Sequence, residues 1–255
     1  MNSSVPVLSF RDVFFRFPDG PDVLRGITAA VMPGNTYLVA GPNGSGKTVF
    51  AKHMTGLLLP TKGGLFLRGQ RTNRKSRRPF PGIGMVFQNS SAQFIGQTVL
   101  EDVCFGPLNR GLPPGDARDR ARQALAEMEI GHLERRNPRM LSGGEQRRCA
   151  VAGILAMDPE LIILDEPFTG LDYPGVTDLL SAVEKLKDQG KSLIILTHHV
   201  EKVTAHTDWI FLLRQGRIEA EGPPAETVEL FGNYGLVPAD RAWNELSWLP
   251  GYTAG

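Results

Sequence analysis

The residue types and spacing of a phosphate-binding loop occur in one glycine-rich segment, Gly41-Pro42-Asn43-Gly44-Ser45-Gly46-Lys47-Thr48. This segment fits the pattern G-x-x-x-x-G-K-[ST], in which glycines let the backbone curl so that its N–H groups point at phosphates. Lys47 would reach the β- and γ-phosphates, and the Thr48 hydroxyl would bind Mg²⁺. An apolar run precedes the segment and a stretch able to form a helix follows it, so the sequence predicts a site for ATP and Mg²⁺.

A second candidate phosphate cradle, without a lysine of its own, lies in the segment Leu141-Ser142-Gly143-Gly144-Glu145-Gln146. Ser142 and Glu145 fit the S-x-x-E capping box, so the plain interpretation is the start of a helix. The adjacent glycines, Gly143 and Gly144, would in addition expose backbone N–H groups to an anion at that helix end. We predict that this segment binds the γ-phosphate of a nucleotide held by a partner chain, so that each site is built from two chains.

Polar residues that could act on a bound nucleotide follow three further apolar runs. Asp165 would be a second ligand on the Mg²⁺ side, and Glu166 would point toward an attacking water as the general base. His198 could contact the γ-phosphate, and Gln88 could reach Mg²⁺ or the water from a mobile loop. Alone, an acidic pair can be a helix cap and a histidine an ordinary polar residue. Their joint placement favours a catalytic role for Glu166, His198 and Gln88.

The elements that must position these residues are predicted from four short apolar runs: Tyr37–Ala40, Met85–Phe87, Leu161–Leu164 and Leu193–Leu196. Runs without polar alternation are typical of strands buried on both faces of a parallel sheet. Ligands bind at the carboxyl ends of such strands, so the polar residues would gather at one edge. The predicted fold class is α/β, with a RecA-like parallel sheet as the core of a P-loop NTPase.

Other segments suggest an additional sheet and a helical insert. The antiparallel layer is predicted from Val7–Phe17, Val23–Val31, Leu65–Leu67 and a hairpin over Trp209–Glu219. Residues 89–157 are predicted to form a mostly helical insert, with one helix over Asp116–Glu129 after a stop signal at Pro113-Pro114-Gly115. A short helix is predicted at Ala225–Phe231, within a C-terminal extension.

Composition excludes several classes of protein. The net charge of +1 among 255 residues gives no overall field that would attract nucleic acid. No apolar run is long enough to span a membrane, and the N-terminus has no secretory signal. Two cysteines, Cys104 and Cys149, predict reduced thiols in a cytosolic protein rather than a disulfide framework.

Taken together, these motifs resemble those of the nucleotide-binding subunit of ABC transporters, over nearly the whole chain. Gly41–Thr48 looks like Walker A, Gln88 like the Q-loop, Leu141–Gln146 like the signature, and Leu161–Asp165 with Glu166 like Walker B and its catalytic glutamate. The resemblance further implies that Asp172 belongs to the D-loop, that His198 is the switch histidine and that Phe17 stacks on adenine. It also implies an ATPase that works as a homodimer or as a heterodimer with a related ATPase.

The segment between Gln88 and Pro113 is similar to the corresponding segment of ATPases of the energy-coupling-factor class. Transporters of this class import vitamins and cobalt or nickel. This resemblance implies two membrane partners, a transmembrane coupling subunit and a substrate-binding subunit, with the ATPase peripheral on the cytoplasmic face of the membrane. Residues 90–97 would form the groove for coupling helices. Residues 1–220 would form the ATPase domain, and the extension 221–255 would contribute to pairing.

Alternatives to this interpretation are another class of ABC importer, a soluble ABC ATPase acting on nucleic acid or ribosomes, and a nucleotide kinase. The interval between Gln88 and Leu141 is too short for the coiled-coil arms of DNA-repair members, and a kinase has no use for the signature. A basic run from Arg71 to Arg78 is either a solvated loop or a contact with anionic lipid.

Overall fold

The computed structural model describes residues 5–73, 76, 79–236 and 242–252. Its strands are β1 (Leu8–Arg16), β2 (Asp22–Val31), β3 (Thr36–Ala40), β4 (Lys62–Leu67), β5 (Gln70–Arg71), β6 (Ile83–Val86), β7 (Leu161–Asp165), β8 (Ser192–Thr197), β9 (Trp209–Arg214) and β10 (Arg217–Gly222). The α-helices are α1 (Lys47–Met54), α2 (Val99–Asn109), α3 (Pro114–Glu127), α4 (Gly143–Leu155), α5 (Tyr173–Asp188) and α6 (Pro224–Thr227). Four residues of the basic run, Arg74, Lys75, Arg77 and Arg78, lie outside the described residues, so the role of that run stays a prediction.

A six-stranded sheet forms the centre of the molecule, with strand order β10-β9-β3-β8-β7-β6. All its neighbouring strands are parallel except β9 and β10, which pair antiparallel. Every residue of β3, β6, β7 and β8 is buried, as expected for strands covered on both faces. The predicted parallel core is therefore confirmed, and the carboxyl ends of β3, β7 and β8 lie side by side.

The antiparallel layer differs in part from its prediction. It is a four-stranded sheet in the order β2-β1-β4-β5, which confirms the three N-terminal segments. The placement of the Trp209–Glu219 hairpin in this layer was wrong, because β9 pairs parallel with β3 and extends the central sheet. Ile210–Leu213 is buried throughout, the pattern of a central strand rather than of a one-sided antiparallel one.

Alternate residues of the central strands enter two separate apolar cores. Leu38, Ile162 and Ile195 face a core that includes residues of α2, α3, α4 and α5. Val39, Ile163 and Ile194 face the other core, which is shared with α1 and the antiparallel sheet. This alternation follows from the two-residue period of a strand. The central strands are thereby packed between the helices α2 to α5 on one side and α1 with the antiparallel sheet on the other.

The helical insert is confirmed, with one local difference at the start of α3. Thr98 caps the start of α2, and its side chain accepts a hydrogen bond from the Glu101 N–H in a complete capping box. Helix α3 begins at Pro114, so Pro113-Pro114-Gly115 does not stop a helix but starts one; proline suits a first turn, where its missing N–H costs nothing. None of the described helices has the length and hydropathy needed to cross a membrane.

Candidate active site

The glycine-rich loop connects β3 to α1 and approaches β9 closely. A Cβ at Gly41 would lie 2.1 Å from the Leu213 carbonyl oxygen, so only glycine fits that position. Gly46 precedes α1 with a φ of 104°, a left-handed conformation that glycine adopts without strain. The loop backbone is also bonded to the β9–β10 turn, because the Gly216 N–H donates to the Ser45 carbonyl at 2.9 Å.

Lys47 lies inside this loop and is only 6% exposed. Its Nζ donates hydrogen bonds to the carbonyl oxygens of Gly41 at 2.8 Å and Pro42 at 3.2 Å. The same ammonium lies 3.4 Å from Oε1 of Glu166. A buried positive charge thus sits at the loop where phosphates are predicted, next to the proposed general base.

Glu166 follows β7 and is held by three side chains. Besides Lys47, the Thr197 hydroxyl donates to Oε2 at 3.0 Å, and Nδ1 of His198 lies 3.0 Å from Oε1. Its backbone N–H donates to the Leu196 carbonyl at 2.8 Å, although its φ of 46° is unusual for a non-glycine residue. The structure therefore brings together Lys47, Glu166 and His198 as predicted, and adds Thr197.

Asp165 and Thr48 have the chemistry of a magnesium site. Asp165 is 2% exposed, and burial raises the pKa of its carboxyl group despite a hydrogen bond from the Thr48 side chain. Its Oδ1 atom has no hydrogen-bond partner among the described residues. Because Mg²⁺ takes one or two protein oxygens and completes its shell with phosphates and water, this hydroxyl–carboxylate pair fits the ion.

No group of three His, Cys, Asp or Glu side chains among the described residues has the arrangement of a metal cage. The hydroxyl of Ser45, in the glycine-rich loop, is likewise buried and without a partner in the described part of the chain. Ser45 and Asp165 thus each carry a buried oxygen that is without a hydrogen-bond partner among the described residues.

The structure places Gln88 and Phe17 at the periphery. Gln88 lies two residues beyond β6, which pairs with β7, and its side chain is exposed. Phe17 follows β1, is 45% exposed, and packs edge-to-face on Phe15 with ring centroids 4.9 Å apart. Neither residue is brought into contact with Lys47 or Glu166, so their predicted roles stay predictions.

The second cradle lies at the beginning of α4. The predicted capping box is confirmed: the backbone N–H and the hydroxyl of Ser142 each donate to Oε2 of Glu145 at 2.8 Å. These two hydrogen bonds lower the pKa of Glu145. The cap leaves the N–H groups of Gly143 and Gly144 at the mouth of the helix.

An open cavity of about 370 Å³ lies at this helix start, and its lining includes Ser142, Gly143, Arg148 and Asp172. Asp172 caps α5, since its Oδ1 accepts a hydrogen bond from the Gly175 N–H at 3.0 Å. No residue of the segment 41–48 lines this cavity. Apart from Gln88 and Phe17, the predicted site residues therefore form two groups, one around Lys47 and one around Ser142.

Sequence reasoning missed Thr197 and Arg147. Thr197 ends the same apolar run that predicted His198, so a hydroxyl next to that histidine was the available signal. Arg147 is buried in α4 and its Nη1 donates to the Phe87 carbonyl at 2.9 Å, directly before Gln88. Nothing in its neighbours along the sequence indicates that contact, because the two residues meet only in the folded chain.

Comparison with known proteins decides the family of this site. The family model described as ABC transporter matches residues 24–169, more than half of the chain. The chain belongs to the ABC transporter family. The glycine-rich loop and the start of α4 both lie within the matched residues of this ABC ATPase, and the nucleotide-kinase alternative is excluded.

Individual relatives confirm the narrower resemblance of this ABC ATPase. The energy-coupling factor transporter ATP-binding protein EcfA of Methanocaldococcus jannaschii is 40% identical over 86% of this chain and 80% of its own length. The cobalt import ATP-binding protein CbiO of Rhodobacter capsulatus is 41% identical over 86% of this chain and 80% of its own length. Among solved structures, cbiO1 of Clostridium perfringens, described as part of the transporter complex cbiONQ, has a TM-score of 0.81 and 31% identity, covering 88% of this chain and 91% of its own.

A further structural neighbour is informative about assembly. It is a dimeric ATP-binding cassette in a post-hydrolysis state with bound ADP and phosphate, and it has 26% identity and a TM-score of 0.72. The match covers 85% of this ABC ATPase and 98% of that chain. The ADP, the phosphate and the dimeric state are those of that neighbour.

Proposed function

We propose that this ABC ATPase is the motor subunit of an energy-coupling-factor-type importer, driving uptake of a vitamin or a transition-metal ion through membrane partners. The observation that supports this proposal most directly is the cluster of Lys47, Glu166, Thr197 and His198 beside Thr48 and Asp165. This cluster has the groups that ATP hydrolysis needs, and the relatives supply the transport context.

Nucleotide binding is assigned to residues of the first group. The backbone N–H groups of residues 41–48 would surround the phosphates, except at Pro42, which has no N–H. Lys47 would exchange its contacts with backbone carbonyl oxygens for contacts with phosphate oxygens. The exposed ring of Phe17 would stack on adenine. Thr48 and Asp165 would hold Mg²⁺, with Gln88 as a further ligand, and the ion when bound would neutralise developing charge on the phosphates.

Hydrolysis is assigned to Glu166. Its carboxylate would accept a hydrogen bond from the attacking water, and the Thr197 and His198 side chains would fix its orientation. When Lys47 contacts a phosphate, its contact with Glu166 at 3.4 Å weakens and the carboxylate becomes free for the water. His198 would then lie near the γ-phosphate and respond to its presence or absence.

The second group would complete the site of a partner chain. Ser142, Gly143 and Gly144 would contact the γ-phosphate bound by the partner's loop, with Glu145 holding the helix cap and Asp172 beside it. The separation of this cavity from the chain's own loop supports such a two-chain site. The partner would be a second copy or a related ABC ATPase, and the extension 221–255 would add to their contact beyond the ATPase domain 1–220.

A groove between the central sheet and the helical insert is the proposed docking site of the membrane coupling subunit. Its cavity measures about 720 Å³, and its lining includes Phe87, Phe94, Phe105 and Ile154. Ile95, the residue after Phe94, is 61% exposed and adds to the apolar surface at this groove. A helix from the coupling subunit would cover these groups, placing the ATPase peripherally on the cytoplasmic face of the membrane, together with a substrate-binding membrane subunit and without nucleic acid.

The test of this proposal compares Glu166→Gln with Glu160→Gln, a control at a glutamate paired with Arg68 near the surface. We expect Glu166→Gln to lower kcat by about 10²–10⁴-fold while ATP affinity is retained, because binding does not use the base. The control should keep the wild-type rate. Hydrolysis by Glu166→Gln at a rate close to wild type would remove the assigned base. Isolation from the native membrane without any membrane subunit would favour the soluble ABC ATPase alternative.

A further inference from the structure

The C-terminal segment 242–252 folds back onto the part of the chain that follows His198. The Ala205 N–H donates to the Leu246 carbonyl at 3.1 Å, and the Trp248 N–H donates to the Lys202 carbonyl at 3.3 Å. Leu246 is buried in the same apolar core as the central strands. The segment 242–252 therefore packs on the same side of the central sheet as the helices of this core.

Trp248 contacts two parts of the chain that adjoin the catalytic groups. The Lys202 ammonium lies 4.4 Å from the centroid of its indole ring, and Lys202 ends a short turn that begins at Val200, two residues after His198. The Tyr173 ring centroid lies 5.8 Å from that of Trp248, and Tyr173 is the first residue of α5. One indole thus joins the turn after His198 to the helix start that Asp172 caps.

A buried polar network anchors this segment on both sides of Trp248. Nδ1 of His206 lies 2.8 Å from Oε1 of Glu184 on α5, and Nε2 of His206 lies 2.6 Å from the Ser247 hydroxyl. The Tyr252 ring packs on the His206 ring with centroids 4.0 Å apart. Because His206 is fully buried, breaking these hydrogen bonds would leave unpaired polar groups without water. Trp248 is thereby held at a fixed place.

We propose that Trp248 is a positioning residue for ATP hydrolysis, which holds the turn after His198 at a fixed distance from the start of α5. This inference rests on the proposed function. His198 contacts Glu166, so a shift of that turn moves the carboxylate that would orient the attacking water. Small displacements of catalytic groups lower rates steeply, because the reacting atoms must be aligned within a fraction of an ångström.

The experiment replaces each residue of the Lys202–Trp248 contact, and each residue of a similar cation–ring contact elsewhere in the chain as a control. The Arg11 guanidinium also lies 4.4 Å from a ring centroid, that of Phe66, and both residues belong to strands of the antiparallel sheet. The test variants are Trp248→Ala and Lys202→Met, and the controls are Phe66→Ala and Arg11→Met. For each variant, kcat, KM for MgATP and the thermal midpoint Tm would be measured, with kcat taken at increasing protein concentration.

We expect Trp248→Ala and Lys202→Met to lower kcat about tenfold with KM changed by less than about twofold, since only alignment is affected. Trp248→Phe, which keeps an aromatic face for Lys202, should recover most of the rate. The controls should keep the wild-type kcat even where they lower Tm. The lowered kcat should persist at saturating protein concentration, because it does not arise from lost pairing.

Three results would overturn the inference. The first is a loss of kcat in proportion to the loss of Tm, with the same proportion in test and control variants. This would indicate a purely structural role for Trp248. The second is recovery of kcat at high protein concentration, which would assign Trp248 to the contact between subunits. The third is a wild-type kcat in Lys202→Met, which also decides the matter if Trp248→Ala does not fold. Failure of the proposed function is distinguishable, because Glu166→Gln would then hydrolyse ATP at the wild-type rate.

Discussion

At the scale of single residues, Glu166 is constrained by partners that lie on separate parts of the chain. Lys47 comes from the loop before α1, whereas Thr197 and His198 come from the end of β8. The carboxylate is buried among them, so its direction is set by hydrogen bonds rather than by solvent. Each partner can be removed separately to learn how much of the catalytic rate depends on it.

The Thr197 hydroxyl orients Glu166 and also accepts a hydrogen bond from the His199 N–H at 3.0 Å, so its removal tests the two contacts together. Thr197→Val keeps the volume of the side chain and removes the donor to Oε2 of Glu166. We expect kcat to fall about tenfold or more, with ATP affinity unchanged, because a loosely held base is less often aligned. Thr207→Val is the control, since the Thr207 hydroxyl donates only to the Thr204 carbonyl. An equal loss of kcat in both variants would contradict the role of Thr197.

Asp165 illustrates a conflict between function and stability. Burial raises the pKa of its carboxyl group, so the folded chain binds that proton more tightly than the unfolded chain does. The ionised form at neutral pH therefore lowers stability, and Asp165→Asn should remove this cost. We expect the Tm of Asp165→Asn to lie above that of the wild type, because the substitution removes the buried charge.

The sign of this effect can be checked by lowering the pH. As the pH falls through the raised pKa, wild-type Asp165 becomes protonated and its penalty disappears. The difference in Tm between wild type and Asp165→Asn should therefore shrink toward acid, as followed by calorimetry without nucleotide. A difference that grows toward acid would contradict the assignment, and added Mg²⁺ should stabilise only the wild-type protein in the presence of ATP.

At the scale of elements, the strands of the central sheet were predictable because each short apolar run ends at a polar residue. The capping box of α4 was equally local, since Ser142 and Glu145 lie three positions apart. The sheet that contains β9 was not predictable in this way. A hairpin fixes only its own antiparallel pairing, and the parallel contact of β9 with β3 depends on chain segments far apart in sequence.

Within the site as well, local motifs were predictable from the sequence, whereas contacts between distant segments were not. The loop from Gly41 to Thr48 is contiguous, so its chemistry could be deduced from spacing alone. The contacts of Glu166 with Thr197 and of Arg147 with the Phe87 carbonyl join residues that meet only after folding. No periodicity records them, which is why neither Thr197 nor Arg147 was expected.

The glycine-containing start of α4 can be tested as an element that acts on another chain. Ser142→Arg would fill the cavity at the start of α4, and Lys47→Ala would remove the phosphate contact of the loop. Each variant alone should be inactive. When the two are mixed, pairs that contain one of each should regain one working site, measured as ATP hydrolysis against mixing ratio. Two working sites in each mixed pair, or none, would contradict sites built from two chains.

At the scale of the whole molecule, the groove beside α2 offers a matched pair of surface positions. Phe105 and Leu108 are both 43% exposed on this helix, but only Phe105 lines the groove. We expect Phe105→Asp to abolish co-purification with membrane subunits and leave the hydrolysis rate of the isolated chain unchanged, because a charge there opposes burial by a partner. Leu108→Asp should assemble normally. Equal assembly of the two variants would place the membrane contact elsewhere.

The bonding of the glycine-rich loop to the β9–β10 turn has a consequence for biosynthesis. Gly41 is packed on the Leu213 carbonyl, and the Ser45 carbonyl is held by the Gly216 N–H. These supports are translated long after the loop itself, so a nascent chain that has emerged only through its first half lacks the walls of its nucleotide pocket. We therefore expect ribosome-bound fragments that end before Leu213 to bind ATP far more weakly than the full chain does.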